Sequence, residues 1–475
     1  NHKGRVNMKT FEPTWNSLSR HQMPQWLQDA KFGIYTHWGI YSVPAYAGIS
    51  EWTKNPNASW YGNRMYNREL PEFEHHRKTY GEHKEFGYKD FIPMFKAEKF
   101  DADEWAQLFK DSGAKFAGPV AVHHDNFSMW DSKVNPWNSA AMGPKRDIIG
   151  EWRKAALEQG LRFGVTTHLE RTWSWLQTNK GADRSGPEAG TAYDGNDPAF
   201  RDFYLAPSND TDLRHPRNAP VSWRDHWAER IKDLIDNYHP DHLYFDGAIP
   251  FMGEDNGRTG MDVISHLYNH SMDIHEGSQE AVMCIKNISD HGIYVDGVTT
   301  LDLERTKLDA IRELPWQTDT SIGPWGYRAG ASYRPVSALV HELVDIVSKN
   351  GNVLLNVPPK ADGTLDWETE EILSGIGSWL RVNGEAIYET RPWTIFGRDS
   401  IRFTRKHDRL YVTILEWPEN GMLVIPELGE QNGTGRIESV SMLGHEPPVR
   451  WGQDSGGRSA LRIVLPETKP CEHAW

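Results

Sequence analysis

Imidazole and carboxylate side chains recur in this sequence directly after short apolar segments or near their ends. They are His37, His123, His124, His168, Asp246, Glu304 and Asp319. A single histidine in such a position is usually a hydrogen-bonded structural residue. Because the same residue types recur at the same point of successive segments, the pattern predicts that they form one shared site.

Two kinds of chemistry combine histidines, carboxylates and aromatic residues. Metal-assisted hydrolysis uses His and Asp as ligands, but barrel enzymes of that class usually carry a His-x-His pair on the first strand, whereas Tyr35 and Thr36 precede His37 here. The adjacent His123 and His124 also fit poorly, because neighbours on a strand point to opposite faces. Glycoside hydrolysis by two carboxyl groups is the second kind. It is favoured by the 21 Trp, which exceed the 17 Tyr and 17 Phe, because aromatic rings pack well against the C–H face of a sugar.

The elements that position these residues alternate between apolar segments and amphipathic stretches, which is typical of parallel strands joined by helices. The predicted strands are Phe32–His37, Phe116–Val122, Leu161–Thr167, Leu243–Phe245, Ala281–Ile285, Val298–Leu303, Trp316–Thr320 and Val353–Val357. Eight such units predict a (β/α)8 TIM barrel, whose active sites lie at the C-terminal ends of the strands. A doubly wound sheet is the competing arrangement, but no Gly-x-Gly-x-x-Gly follows the first strand.

The composition changes after about residue 390. Short β-type segments separated by Gly, Pro, Asn and Asp predict a C-terminal antiparallel β-sandwich domain. The predicted strands there are 401–404, 410–415, 422–425, 437–442 and 461–465. We therefore expect a catalytic barrel over residues 1–388 and the sandwich over residues 389–475.

Charge and cysteine content exclude several classes of protein. The 475 residues hold 52 Lys+Arg and 66 Asp+Glu, a net charge of −14, which argues against nucleic-acid and anionic-membrane partners. Cys284 and Cys471 have no partners at zinc-finger spacing, and Cys284 is expected to be a buried core thiol. No signal peptide is visible in residues 1–10. A periplasmic or secreted location is favoured if a leader preceded Asn1, and the oligomeric state stays open.

Longer motifs resemble the α-L-fucosidases, glycoside hydrolase family 29. They are Lys31–Ala45, the segment around 112–115, His123-His124-Asp125 with Trp130-Asp131-Ser132, Tyr244–Gly247, Trp316–Gly323 and Lys349–Pro359. The resemblance covers roughly residues 11–400 and implies a (β/α)8-like barrel followed by a β-sandwich, in agreement with the pattern of elements.

The resemblance implies that Asp246 is the nucleophile and that Glu304 is the acid/base of a retaining double displacement. Asp302 or Glu313 could take the place of Glu304, and a structural ion pair with Arg305 is the alternative role of Glu304. In retaining enzymes the two carboxyl groups lie about 5–5.5 Å apart. This route needs no cofactor and no metal.

The resemblance also implies the substrate-binding residues. His37, His123 and His124 match histidines that bind fucose hydroxyls, Glu51 and Trp52 match a sugar contact, and His168 is expected to face the sugar. Tyr244 takes a place often held by Trp, and Trp325 matches the aromatic residue that packs against the C5 methyl group. The chain departs from the family pattern at Asn126, where Gly is common, and at Thr53, where Tyr is usual.

The expected substrate is a fucosylated oligosaccharide or glycoconjugate. An α-L-galactosidase and a relative acting on sulfated fucans are the alternative enzymes. A non-catalytic fucose-binding protein and a metal-dependent amidohydrolase are less favoured. The long segment 172–216, with Trp173 and Trp175, is expected to shape the side of the site that binds the leaving group.

Overall fold

The computed structural model describes residues 10–49, 56–210, 214–430, 435–454 and 459–475. Eight parallel strands close into a barrel in the order in which they occur along the chain. They are β1 (Phe32–Thr36), β2 (Phe116–Val122), β3 (Arg162–Thr167), β4 (His242–Phe245), β5 (Val282–Lys286), β6 (Thr300–Asp302), β7 (Trp316–Ser321) and β8 (Gly351–Val357). The predicted barrel is confirmed, and each strand overlaps its predicted segment.

Helices surround the barrel and lie on the loops at its mouth. In the described ranges they are α1 (Trp15–Leu18), α2 (Gln25–Ala30), α3 (Tyr61–Arg64), α4 (Pro71–Tyr80), α5 (Ala102–Asp111), α6 (Ile148–Glu158), α7 (Thr172–Trp175), α8 (Arg201–Tyr204), α9 (Val221–Tyr238), α10 (Arg258–Ile274), α11 (Val336–Ser348) and α12 (Trp367–Asn383). Among these helices, none combines the length and the apolar character that crossing a bilayer requires.

The barrel strands are largely buried on both faces, which explains why β1 and β2 read as mostly apolar runs. Strand β7 is buried as well, although it is polar after Trp316. All seven residues of β2 and of β8 are buried. Where β2 passes β3, a Cβ at Gly118 would lie 1.7 Å from the carbonyl oxygen of Gly164, so only glycine fits there. The barrel closes where β1 pairs with β8, with Tyr35 opposite Asn356.

Two antiparallel three-stranded sheets form the C-terminal part and enclose an apolar core of their own. Their strands are β9 (Arg391–Arg398), β10 (Ile401–Lys406), β11 (Arg409–Ile414), β12 (Met422–Ile425), β13 (Arg450–Gln453) and β14 (Leu461–Val464). The predicted sandwich architecture is confirmed. The boundary between residues 388 and 389 stays a prediction.

One predicted strand in this part is wrong. Residues 437–442 form no strand, apart from an isolated bridge between Met442 and His445. The apolar side chains of Ile437, Val440 and Met442 still pack against the sandwich core. The backbone N–H of Ile437 donates to the side-chain oxygen of Gln453 at 2.9 Å, so a side chain takes the hydrogen bond that a neighbouring strand would accept.

A buried carboxylate connects the barrel to the C-terminal sheets. Asp345 of α11 is 1% exposed. It accepts hydrogen bonds from Lys349, the C-cap of α11, at 2.8 Å and from Arg402 of β10 at 2.5 Å. Lys307 lies 3.1 Å away as a third cation. The two parts of the chain therefore share an ion cluster as well as apolar contacts.

Candidate active site

Four histidines meet at the C-terminal ends of the first three strands. The ring centroids of His37 and His168 are 5.1 Å apart, those of His123 and His168 are 4.7 Å apart, and those of His124 and His168 are 5.2 Å apart. Each of the four is at most 4% exposed. The end of the barrel that the sequence pattern singles out thus holds a compact imidazole cluster.

The objection that His123 and His124 must face opposite ways does not hold. Strand β2 ends at Val122, so both histidines lie in the turn that follows the strand, where side chains no longer alternate. The ring centroids of the pair are 4.6 Å apart and both rings border His168.

Asp246, directly after β4, faces this cluster. Its Oδ2 lies 3.4 Å from Nε2 of His124 and 3.2 Å from Nδ1 of His168. Its Oδ1 accepts a short hydrogen bond from the ammonium of Lys286, the last residue of β5. Asp246 is therefore held between two imidazoles on one side and a cation on the other.

Lys286 also donates to Oε2 of Glu304 at 2.6 Å. One ammonium thus bridges the two carboxylates expected to do the chemistry. Because one of these two hydrogen bonds is short and the other is 2.6 Å long, the two bonded oxygens lie no more than about 5 Å apart. Sequence reasoning missed Lys286, although a charged residue that ends a buried strand among strand-end carboxylates was a readable signal.

Asp246 and Lys286 carry opposite charges, and each holds the other in its charged form. Burial alone would raise the pKa of Asp246, but the attraction of Lys286, followed by His168 and His124, outweighs it and holds that pKa well below its usual range. Burial works against the charge of Lys286, but Asp246 and further carboxylates hold its pKa well above the usual range. Because burial lowers the pKa of both His124 and His168, they are neutral at pH 7 and Lys286 is the partner cation of Asp246.

The amide of Asn356 on β8 fixes the tautomer of His37. The Nδ2 of Asn356 donates to the carbonyl oxygen of Trp325 at 2.8 Å, which turns Oδ1 toward His37. That Oδ1 accepts from the backbone N–H of His37 at 2.8 Å and lies 2.9 Å from its Nδ1. The proton of the neutral ring therefore sits on Nδ1, and Nε2 is left as a hydrogen-bond acceptor.

His124 has the same tautomer for a similar reason. Its Nδ1 lies 2.6 Å from the carbonyl oxygen of His168, which can only accept. Its other ring nitrogen, Nε2, faces Oδ2 of Asp246 at 3.4 Å. Nδ1 of His168 also faces this carboxylate, whereas Nδ1 of His123 and Nε2 of His168 are, among the described residues, buried without a hydrogen-bond partner. Buried polar atoms of this kind point to a ligand rich in hydroxyl groups.

An aromatic wall closes one side of the cluster. Trp325 is 8% exposed, and its ring centroid lies 5.3 Å from that of His37. The guanidinium of Arg305 covers its ring, with Cζ 4.3 Å from the ring centroid, and donates to the carbonyl oxygen of Gly323 at 2.7 Å. Among the described ion pairs Glu304 pairs with Lys286, so the expected alternative of a structural pair between Glu304 and Arg305 is not what the structure shows.

Deeper in the barrel, below the four histidines and Trp325, the interior is polar. Tyr244 is fully buried, with its ring centroid 6.5 Å from that of Tyr35. The hydroxyl of Tyr35 donates to Oδ2 of Asp319 at 3.1 Å, and Asp319 lies inside β7, not at its end. Burial, followed by the charge of Asp319, raises the pKa of Asp302 well above its usual range, so this pair retains a proton.

The two alternative acid/base residues lie elsewhere. Asp302 is 1% exposed and accepts from the amide of Gln317 at 2.8 Å in the barrel interior. Glu313 is exposed in the loop before β7. Of the three carboxylates considered, the structure brings Glu304 to the cation that contacts Asp246.

Tryptophans at the mouth have distinct positions. Trp175 is close to the histidines, with its ring centroid 5.9 Å from that of His124, whereas Trp173 packs against Trp223 of α9 at 6.0 Å. Sequence reasoning missed Trp60, which lies edge-on to His124 at 5.6 Å. The predicted contacts Glu51 and Trp52 lie outside the described residues.

Two sets of ligand atoms in the cluster could also hold a transition-metal ion. They belong to His37, His123 and His168, and to His124, His168 and Asp246, and within each set the atoms lie within 4.8 Å of one another. Imidazole suits borderline cations such as Zn²⁺, so such an ion would compete with a sugar for the same lone pairs.

Known proteins resemble this chain along nearly its whole length. The family described as "Alpha-L-fucosidase" matches residues 1–385, and "Alpha-L-fucosidase C-terminal domain" matches residues 397–475. The plasma alpha-L-fucosidase of Pongo abelii is 32% identical, covering 98% of this chain and 92% of that protein. The tissue alpha-L-fucosidase of Mus musculus is 30% identical, covering 98% and 94%. The Thermotoga maritima alpha-fucosidase in complex with fucose is 33% identical over 96% of both chains, with a TM-score of 0.74.

Proposed function

The chain belongs to the α-L-fucosidase family of glycoside hydrolases, and from this premise we propose that it removes terminal α-L-fucosyl residues from glycans by a retaining double displacement. One observation carries the stereochemical part of the proposal. The ammonium of Lys286 contacts both Asp246 and Glu304, which limits the separation of the two bonded oxygens to about 5 Å. Retaining enzymes have carboxyl separations of about 5–5.5 Å, and inverting enzymes need about 6.5–9.5 Å.

In the first step Asp246 attacks C1 of the fucosyl residue. The C1–O bond to the leaving group breaks, and Glu304 gives its proton to the departing oxygen. The product of this step is an ester between C1 and Asp246. The low pKa of Asp246 keeps the nucleophile ionised and suits this role.

In the second step Glu304, now a carboxylate, takes a proton from water as the water oxygen attacks C1. The ester bond breaks, and Asp246 leaves as a carboxylate. Fucose is released with the configuration it had in the glycan, and Glu304 is protonated again.

Lys286 balances the charge in both steps. Before the first step the negative charge is on Asp246, and after it the negative charge is on Glu304. Because Lys286 contacts both groups, one fixed cation neutralises the single negative charge wherever it resides. The side chain of Asp246 is 19% exposed and that of Glu304 is 45% exposed. Because an enclosed charge without a partner is costly, Lys286 matters most while the charge is on Asp246.

The neutral histidines suit the binding of sugar hydroxyls. His37 presents an Nε2 lone pair because its Nδ1 proton is engaged by the amide oxygen of Asn356. Hydroxyl groups donate to such atoms. Trp325 supplies an apolar surface beside them, which fits the C5 methyl group of fucose better than a hydroxymethyl group.

A fluorinated fucosyl donor tests the nucleophile directly, because its ester is hydrolysed slowly. We expect mass spectrometry to find one fucosyl adduct on the peptide that contains Asp246. An adduct on any other peptide would refute the assignment. In addition, proton NMR of an aryl fucoside reaction should show α-fucose as the first product, and β-fucose would refute the retaining mechanism.

A further inference from the structure

A second group of histidines lies on the outside of the barrel, between helices α9 and α10. Asp236 is in the last turn of α9, and His266 and His270 are one turn apart on α10. The Oδ1 of Asp236 lies 2.6 Å from Nε2 of His266 and 3.5 Å from Nδ1 of His270. These three ligand atoms lie within 4.8 Å of one another.

We propose that Asp236, His266 and His270 form a binding site for a borderline divalent transition-metal ion of the Zn²⁺ class. Two histidines at i and i+4 on one helix and a carboxylate from a neighbouring helix supply three ligands of the types that Zn²⁺ prefers. Solvent supplies the fourth position, because Asp236 is half exposed and the side chain of His266 is 32% exposed.

The environment of the site favours a cation. Helices α9 and α10 run in the same direction, because three contacts between them follow the same order along both. These contacts join Lys232 with Asp262, Asp236 with His266, and His239 with His270. Both C-terminal ends therefore point the same way, and the partial negative charge of helix C-termini attracts cations. Among the described ion pairs, Asp236 has only the two imidazoles as partners, because Lys232 is engaged by Asp262.

His239 supplies the outer contact that metal-bound histidines usually have. This residue caps α9, and its Nδ1 lies 2.7 Å from Nε2 of His270. When Nε2 of His270 carries the proton and donates to His239, the lone pair of His270 is on Nδ1, the atom that faces Asp236. An outer hydrogen bond of this kind fixes the tautomer that coordinates the ion.

The site is distinct from the catalytic cluster. Helix α9 leads into the start of β4, so its C-terminal end lies at the N-terminal face of the barrel, opposite the strand ends that carry Asp246 and the four histidines. In barrels of this kind, residues at the N-terminal face contribute to stability and not to catalysis. An ion there would cross-link α9 and α10, and binding only to the folded chain would raise its Tm.

The test uses the full-length enzyme, freed of metal with a chelator and titrated with ZnCl₂ by calorimetry. We expect His266→Gln and His270→Gln each to remove one equivalent of bound Zn²⁺ relative to the unaltered enzyme, with fucosidase activity before metal addition unchanged. Asp273→Asn, at an exposed carboxylate on α10 outside the ligand set, is the matched control and should keep that equivalent. His239→Gln should weaken the site by about 10–100-fold.

Crystals grown with equimolar Zn²⁺ give an independent readout that needs no variant. An anomalous peak between Asp236, His266 and His270 would support the proposal. Equal stoichiometry in the unaltered enzyme and in both histidine variants would overturn it, and so would anomalous peaks confined to the catalytic histidines. Ca²⁺ prefers oxygen ligands, so it should change the Tm of the unaltered enzyme and of His266→Gln by the same amount.

Discussion

Lys286 ends β5, Asp246 follows the neighbouring strand β4, and the two form a partly buried ion pair at the mouth of the barrel. The ammonium donates to Oδ1 of Asp246, and both side chains lie among other ionisable groups. Because burial by itself would raise the pKa of Asp246, the ionised state of this carboxylate depends on the lysine. This dependence leads to the first prediction.

Replacing Lys286 by Met should slow turnover of an aryl fucoside by about 10²–10³-fold, the range seen when a charge-stabilising donor is lost. It should also change the pH profile. The pKa of Asp246 is low because of Lys286, so removing the cation lets burial raise that pKa. The acid limb of kcat/KM, which needs ionised Asp246, should then move to higher pH.

Lys286→Arg is the matched control because it keeps the positive charge. Its acid limb should stay near that of the unaltered enzyme, even if kcat falls because the guanidinium has another shape. An acid limb in Lys286→Met that stays where it was would show that Lys286 does not set the pKa of the nucleophile.

Glu304→Ala should lower kcat on a natural fucoside by about 10²–10⁴-fold, the usual contribution of a general acid/base. On an aryl fucoside with a good leaving group, the first step needs no acid, and hydrolysis of the ester becomes limiting. Added azide should then restore turnover and yield fucosyl azide, because the anion needs no base.

The same measurement on Glu313→Ala and Asp302→Asn discriminates among the three carboxylates. Glu313 is exposed and should behave as the unaltered enzyme. Asp302→Asn retains a neutral side chain beside Asp319 and should show no azide rescue. Rescue of either variant, with none for Glu304→Ala, would transfer the acid/base role to that residue.

Trp325→Ala should reduce the preference for fucosides over L-galactosides. The ring beside His37 provides the apolar surface expected to face C5, and a hydrophobic pocket rejects an added hydroxyl by about 10² at most. Removing the ring should bring the ratio of the two kcat/KM values toward one. Trp367→Ala is the control, because this tryptophan on α12 is 70% exposed, and it should leave the ratio unchanged. If the ratio is also unchanged in Trp325→Ala, the ring of Trp325 does not select between the two sugars.

Asp345→Ala should destabilise the folded chain by about 3–5 kcal/mol, because it leaves buried Lys349 and the Arg402 guanidinium without their anion. Burial opposes the charge of Asp345, but hydrogen bonds from Lys349, Arg402 and Lys307 hold its pKa below the usual range. Its contribution is therefore present above the unfolded-state pKa of about 3.9 and is lost as the pH falls through the lower folded-state value.

Urea unfolding at several pH values measures this contribution. Asp399→Asn is the control, because Asp399 forms an ion pair on the surface, its side chain is 78% exposed, and asparagine tolerates its positive φ of 48°. Such pairs contribute about 0–1 kcal/mol. If the two variants unfold at the same urea concentration at pH 7, the buried cluster does not stabilise the junction.

The barrel could be predicted from sequence because its strands are buried on both faces. Segments such as Phe116–Val122 are apolar throughout, and each ends at a polar residue that lies at the mouth. In the C-terminal sheets the signal is weaker. Strand β9 contains Pro392 and Gly397, and in the described part of the chain its one partner is β10. Proline is tolerated on such an edge strand, but it makes the strand hard to recognise in the sequence.

The site could be predicted in part. The four histidines and Asp246 converge as the strand-end pattern predicts, since parallel strands place their C-terminal ends together. The charged end of β5 is visible in the sequence, but the role of Lys286 is not. Only the closed barrel brings Asp246, which follows β4, and Glu304, which follows β6, to the same ammonium. The tautomer of His37 depends on Asn356 of the last strand, a contact that no local pattern contains.

The contact between His37 and Asn356 relates the order in which the chain is synthesised to the moment at which the pocket is complete. His37 and Asn356 are separated by 319 positions in the chain, and β1 has no partner on its open side until β8 arrives. A nascent chain therefore carries Asp246 long before it can orient His37. Since distant pairings form late and slowly, we expect fucose recognition to arise in a single final event, when the ends of the barrel join.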